Sequence, residues 1–112
     1  MKKHILRFRE VDRDSLNNIL RGKKTVETRA ATTKFKNIQK GDMLVFVCGK
    51  NKAERLVKKV SLFKSIKDLF DAHPVSSVVP RTRSLKDAAK RFYSFPGYKE
   101  KIKKFGIIAF EI

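Results

Sequence analysis

Gly22-Lys23-Lys24-Thr25-Val26-Glu27-Thr28-Arg29 packs a glycine turn, one acid, two hydroxyls and three cations into eight residues. Side chains along a strand alternate between its faces. Thr25, Glu27 and Arg29 therefore share one face, and Val26 and Thr28 the other. Lys24 lies where the turn ends, so parity leaves its direction open. A hydroxyl, a carboxylate and a guanidinium on one face build the polar wall of a pocket rather than a core. The competing reading is a solvated edge strand whose charges pair locally, an arrangement that contributes little to stability.

The flanks of this stretch set its context. His4 to Arg9 alternates apolar and polar residues and reads as a first strand. Asp12 or Asp14 caps a short helix over Ser15 to Arg21, with Leu16, Ile19 and Leu20 on its apolar face, and Gly22 ends it. The motif strand runs to about Ala31. Thr32 to Gln39 is a polar connection anchored by Phe35 and Ile38. Lys40-Gly41-Asp42 then turns the chain into its strongest strand, Met43 to Cys48. Gly49 to Lys52 reads as a hairpin loop. The apolar pattern of the return strand, Ala53 to Phe63, shifts phase and predicts a bulge. Ser65 to Ala72 is a helix, with His73 at its end. Pro74 to Arg83 is an irregular crossing segment. Ser84 caps a second helix to about Phe92. After the Ser94 to Tyr98 turn comes a basic stub, Lys99 to Lys104. The last residues, to Ile112, form a strand apolar enough to be central.

At 112 residues, 41% of them apolar and nine of them Phe, the chain suits one α+β domain over residues 1–112. Strands at both ends with helices between them predict a mixed or closed sheet. A small barrel removes sheet edges and fits this length. The single cysteine, Cys48, lies in an apolar run, which makes it a buried core residue and excludes a disulfide framework. His4 and His73 have no ligand at metal-site spacing, so neither a metal nor a cofactor is expected. No signal peptide and no membrane-length apolar run is present, which predicts a cytoplasmic protein. Twenty-eight Lys and Arg stand against eleven Asp and Glu, a net charge of +17. That imbalance points to a polyanionic partner, RNA before DNA. The cations are spread over strands, loops and helices rather than one amphipathic face, which argues against a membrane surface.

The spacing G-x-K-x-x-E-x-R, carried by Gly22, Lys24, Glu27 and Arg29, resembles the signature of the ASCH domain, a group of the PUA-like β-barrels. The Lys40-Gly41-Asp42 turn, and Phe95-Pro96-Gly97-Tyr98 before a basic stub and a hydrophobic final strand, are similar to two further hallmarks. The likeness runs from about Ile5 to Ile112. It implies a barrel of five or six strands with two to four flanking helices, a cleft beside the motif strand, and RNA or modified nucleotides as ligands. One branch of the group hydrolyses the amide of 4-acetylcytidine with a Lys and a Thr of this strand and a later Glu. Lys24 matches the lysine. Glu27 stands at the position of the threonine, Thr25 is out of register, and no carboxylate lies between Ala72 and Lys86. Acyl chemistry is therefore the weakest reading.

The residue chemistry supports two others. In the first, the chain is a monomeric nucleic-acid-binding module, with Lys23, Lys24, Thr25, Glu27, Arg29, Arg81, Arg83 and Tyr98 forming its interface. Lys24 and Arg29 would hold phosphate, Glu27 would accept from a base, and Tyr98 would stack. Phe95, beside Pro-Gly, reads instead as a core plug. In the second, Lys24 and Glu27 are catalytic in a metal-independent ribonuclease, Glu27 taking the 2′-hydroxyl proton.

Overall fold

The two most apolar runs, Met43–Cys48 and Ile107–Glu111, become the central strands of two separate sheets. The computed structural model describes residues 1–82 and 84–112. The elements run β1 (Lys3–Arg7), a 3₁₀ turn (Glu10–Asp12), α1 (Arg13–Leu20), β2 (Val26–Ala30), α2 (Thr33–Lys36), β3 (Met43–Cys48), β4 (Asn51–Leu56) and β5 (Lys59–Phe63). Then follow α3 (Ile66–Ala72), α4 (Val75–Val78), α5 (Leu85–Ser94), α6 (Tyr98–Phe105) and β6 (Ile107–Glu111).

One sheet has the order β1-β3-β4, with β1 parallel and β4 antiparallel to β3. The other has the order β2-β6-β5, both pairs antiparallel. Among the described residues the expected closed barrel is thus not formed, and six α-helices stand where two to four were expected. β3 and β6 each use both edges within their own sheet, and the ladders of the two sheets stay separate. The expected return strand Ala53 to Phe63 is in fact two strands. The Val57 amide donates to the Asp42 carbonyl on the first sheet, and the next amide, of Lys58, donates to the Glu111 carbonyl on the second. The phase shift in the sequence is a change of sheet rather than a bulge. Two of the additional helices, α2 and α4, are single turns inside segments that read as connections.

The layers follow from strand parity. Leu6, Leu44, Phe46 and Cys48 of the first sheet meet Ile108 and Phe110 of β6, with Leu16 and Ile19 of α1 closing the side. On the other face of the second sheet, Val26, Ala30, Ile107 and Ala109 pack against Ile66, Leu69, Val78, Ala88, Phe92 and Ile102 of the four C-terminal helices. β6 is therefore buried on both faces, as its composition predicts. Cys48 is fully buried in the inter-sheet core.

Local signals place the helices. The Ser65 and Ser84 hydroxyls accept from the Asp68 and Asp87 amides, each at 3.1 Å, and start α3 and α5. Asp12 occupies the N-cap of α1, but its carboxylate does not cap; it accepts from Arg9 Nε at 2.8 Å. Gly22 ends α1 with φ +73°. The Asn18 carbonyl then accepts from the amides of both Lys23 and Lys24, which aims the chain into β2. Asp42 ties β1 to β3: it accepts from the amides of Gln39 and Lys2 and pairs with His4 Nε2 at 2.9 Å. Those partners, the Gln39 amide first, hold its carboxyl down at about 2. Among the described residues no helix is long and apolar enough to cross a membrane.

Candidate functional site

β2 is an outer strand of its sheet, and a cleft of about 210 Å³ runs beside it. Glu27, Thr28 and Arg29 of β2 form one wall and Lys24 its lower end. Asp14, Ser15 and Asn18 of α1 face them. Val79 and Pro80 after α4, Arg91 and Phe92 of α5, and Phe95 and Tyr98 around the Gly97 turn close the remainder, with Phe8, Arg9 and Asp12 at the side.

The lower end is a buried ion pair. Lys24 is 6% exposed and Glu27 3%. Lys24 Nζ donates to the Val78 carbonyl at 2.6 Å and lies 3.5 Å from Glu27 Oε1. Burial pushes the Lys24 ammonium below the ordinary lysine range, and the Glu27 charge opposes that shift. Glu27 Oε1 accepts from the Thr28 amide at 2.8 Å, while Oε2 is buried with no hydrogen-bond partner among the described residues. Arg29 Nη2 lies 3.6 Å from Oε2. The Arg29 guanidinium is itself fixed between the Phe8 and Phe35 rings, at 5.2 and 5.7 Å. An unpartnered buried carboxylate oxygen costs about 1–3 kcal/mol, so an occupant that donates an N–H or O–H to it recovers that cost.

A second network lines the opposite wall. Arg91 Nη2 donates to Asp14 Oδ1 at 2.8 Å and lies 3.4 Å from Ser15 Oγ and 3.9 Å from Asp12 Oδ1. The Arg9 guanidinium sits 5.1 Å above the Phe95 ring, and that ring meets Tyr98 edge-on at 5.1 Å. Burial raises the pKa of the Tyr98 hydroxyl. Five cations (Arg7, Arg9, Lys24, Arg29 and Arg91) thus line the cleft with three carboxylates (Asp12, Asp14 and Glu27). The cleft retains +2 of the chain's +17.

The structure brings Lys24, Glu27, Arg29 and Tyr98 together in this cleft. Lys23, Thr25 and Arg81 are exposed and lie outside its lining. Thr25 serves the fold: its amide donates to the Ser77 carbonyl and its carbonyl accepts from the Ile112 amide. Arg83 lies outside the described residues. Phe95, expected as a core plug, is half-buried and lines the cleft. Asp12, Asp14, Asn18 and Arg91 were not legible as site residues. The two acids carry the signal of a helix cap, and Arg91 belongs to the cleft only once α5 is docked against α1. Among the described residues no group of three or more His, Cys, Asp or Glu side chains is gathered to hold a metal ion.

Over nearly its whole length the chain is similar to the crystal structure of the hypothetical protein PH0355. The TM-score is 0.84 at 27% identity, covering 99% of this chain and 96% of that one. It is also similar to the solution NMR structure of protein PF0455 from Pyrococcus furiosus, with a TM-score of 0.76 at 26% identity over 97% and 94% of the two chains. No protein-family model matches the chain, and no curated protein matches it.

Proposed function

We propose that this chain is a cytoplasmic, monomeric RNA-binding protein of the ASCH kind, whose cleft takes one nucleoside of an RNA strand. The observation that carries this reading is Glu27 Oε2, a buried acceptor without a hydrogen-bond donor among the described residues, in a cleft walled by aromatic rings. A base amino or imino group supplies the missing donor, and the Tyr98 and Phe95 rings supply a stacking surface. Because the cleft is nearly charge-balanced, it suits the base and sugar better than a phosphate. The remaining cations of the +17 chain lie outside it, where a strand's phosphates pass.

The test is an anisotropy titration of labelled single-stranded RNA, with duplex DNA alongside, across a series of salt concentrations. RNA affinity is expected to fall steeply with salt, and Glu27→Gln, which removes one of the two acceptor oxygens, to weaken binding about tenfold. Absence of RNA binding, a flat salt profile, or native affinity in Glu27→Gln overturns the reading.

A second reading, metal-independent RNA cleavage, draws on the pairing of Lys24 with Glu27 and the lowered pKa of Lys24. Glu27 would accept the 2′-hydroxyl proton while Lys24 and Arg29 stabilise charge on the phosphate. The same RNA incubated in chelator separates the two. Cleavage that disappears in Glu27→Gln with binding retained favours the enzyme, and intact RNA favours the binding module.

A further inference from the structure

α5 presents two different faces. Arg91 and Phe92 line the cleft, whereas Lys86, Lys90 and Tyr93 follow the spacing i, i+4, i+7 and form a separate stripe along the helix. All three stripe residues are exposed, Tyr93 to 47% as a residue. Neither Lys86 nor Lys90 forms an ion pair among the described residues. α6, which packs against α5, adds four lysines against one glutamate. An exposed aromatic ring at the end of a row of unpaired cations is the composition of a surface that tracks a nucleic-acid strand: the ring accepts a base face and the ammonium groups meet phosphates. The stripe extends about 10 Å along the helix axis, so both lysines reach phosphates of one short strand.

We propose that the outward face of α5 is a stacking platform for single-stranded RNA, in which Tyr93 carries one base and Lys86 and Lys90 contact phosphates beside it. A base paired within a duplex hides its faces, which selects the single strand. This platform rests on the reading of the chain as an RNA-binding protein, and it lies apart from the cleft. It accounts for charge that the cleft does not use: the cleft holds only +2 of the +17.

The test titrates a labelled ten-nucleotide single-stranded RNA against the full chain and four variants: Tyr93→Ala, Tyr93→Phe, the double variant Lys86→Gln/Lys90→Gln, and Glu27→Gln. Thermal melting checks that each variant is folded. Tyr93→Ala is expected to bind between about fivefold and a hundredfold more weakly, and Tyr93→Phe, which keeps the ring, to bind within about twofold of the native chain. The double lysine variant should lower the slope of log affinity against log salt by about 1.4, two phosphates' worth on a single strand. If Tyr93→Ala and the double variant bind with native affinity and slope while Glu27→Gln weakens binding, the cleft reading stands and the platform is overturned. If the native chain binds no RNA, both are overturned. An equal loss of duplex DNA binding in Tyr93→Ala overturns the assignment to single strands.

Discussion

Lys24 and Glu27 are each buried with the other as a principal counter-charge, so neither can be changed alone without stranding its partner. Replacing Lys24 with Met keeps the apolar stem. It leaves Glu27 facing only Arg29 at 3.6 Å and removes the donor to the Val78 carbonyl. The expected loss of stability for Lys24→Met is about 3–5 kcal/mol, read from urea denaturation. The double variant Lys24→Met/Glu27→Leu should recover part of that loss, because Glu27 is no longer stranded, while Arg29, its side chain 14% exposed, gives up its carboxylate partner. A single variant as stable as the native chain would show that the pair does not hold the cleft floor. Part of this site was legible in the sequence. Strand parity places Glu27 and Arg29 on one face, and they do converge on the cleft. Parity says nothing about Lys24, whose burial depends on the α4 carbonyl 54 positions further along the chain. Asp12, Asp14 and Arg91 meet only through the docking of α5 against α1, a contact that no local pattern encodes.

At the scale of elements, the period of two was readable at His4 to Arg9, where β1 forms over Lys3–Arg7, whereas β3, read as a continuous apolar run, alternates half-buried and buried residues that its composition does not distinguish. The same alternation suits an open pair of sheets and a closed barrel equally, because it specifies faces and leaves the pairing of edges open. The closure prediction failed for that reason, and the one local trace of the true arrangement was the phase shift at Val57 and Lys58. The junction of α6 and β6 is specified more tightly than its sequence suggests. Gly106 has φ +80° and ψ −163°, and a Cβ built there would stand 2.5 Å from the Phe63 carbonyl oxygen of β5. Both the backbone region and the contact exclude a side chain. Gly22 also has positive φ, but a Cβ there meets nothing within 4 Å. Gly22→Ala should therefore cost about 1 kcal/mol. Gly106→Ala should cost at least about 3 kcal/mol, since β6 must shift within the central layer to make room. Thermal denaturation of the two variants compares them directly, and equal losses would mean that the Phe63 contact relaxes without consequence.

For the whole molecule the governing quantity is +17 carried on a body of 31 × 26 × 24 Å. Among the described residues only a few cations are neutralised by geometry: the clasp at Glu27, the pairs of Asp12 and Asp14 with Arg9 and Arg91, and the surface pairs of Arg13 and Lys67. The rest repel one another in the folded state more than in an expanded chain, because folding brings them closer. At 10 mM salt the screening length is about 30 Å and spans the molecule; at 150 mM it is about 8 Å, and only near neighbours interact. Added sodium chloride is therefore expected to raise the melting temperature by several degrees between these concentrations, the response to about 1 kcal/mol of relieved repulsion in a domain of this size. The same salt should weaken RNA binding, since phosphate contacts release counterions. The two responses have opposite signs and one origin, and a buffer series measured by calorimetry and by RNA titration reads both. A melting temperature that falls over this range would mean that the ion pairs outweigh the repulsion, and that the excess cations are arranged for something other than meeting a polyanion.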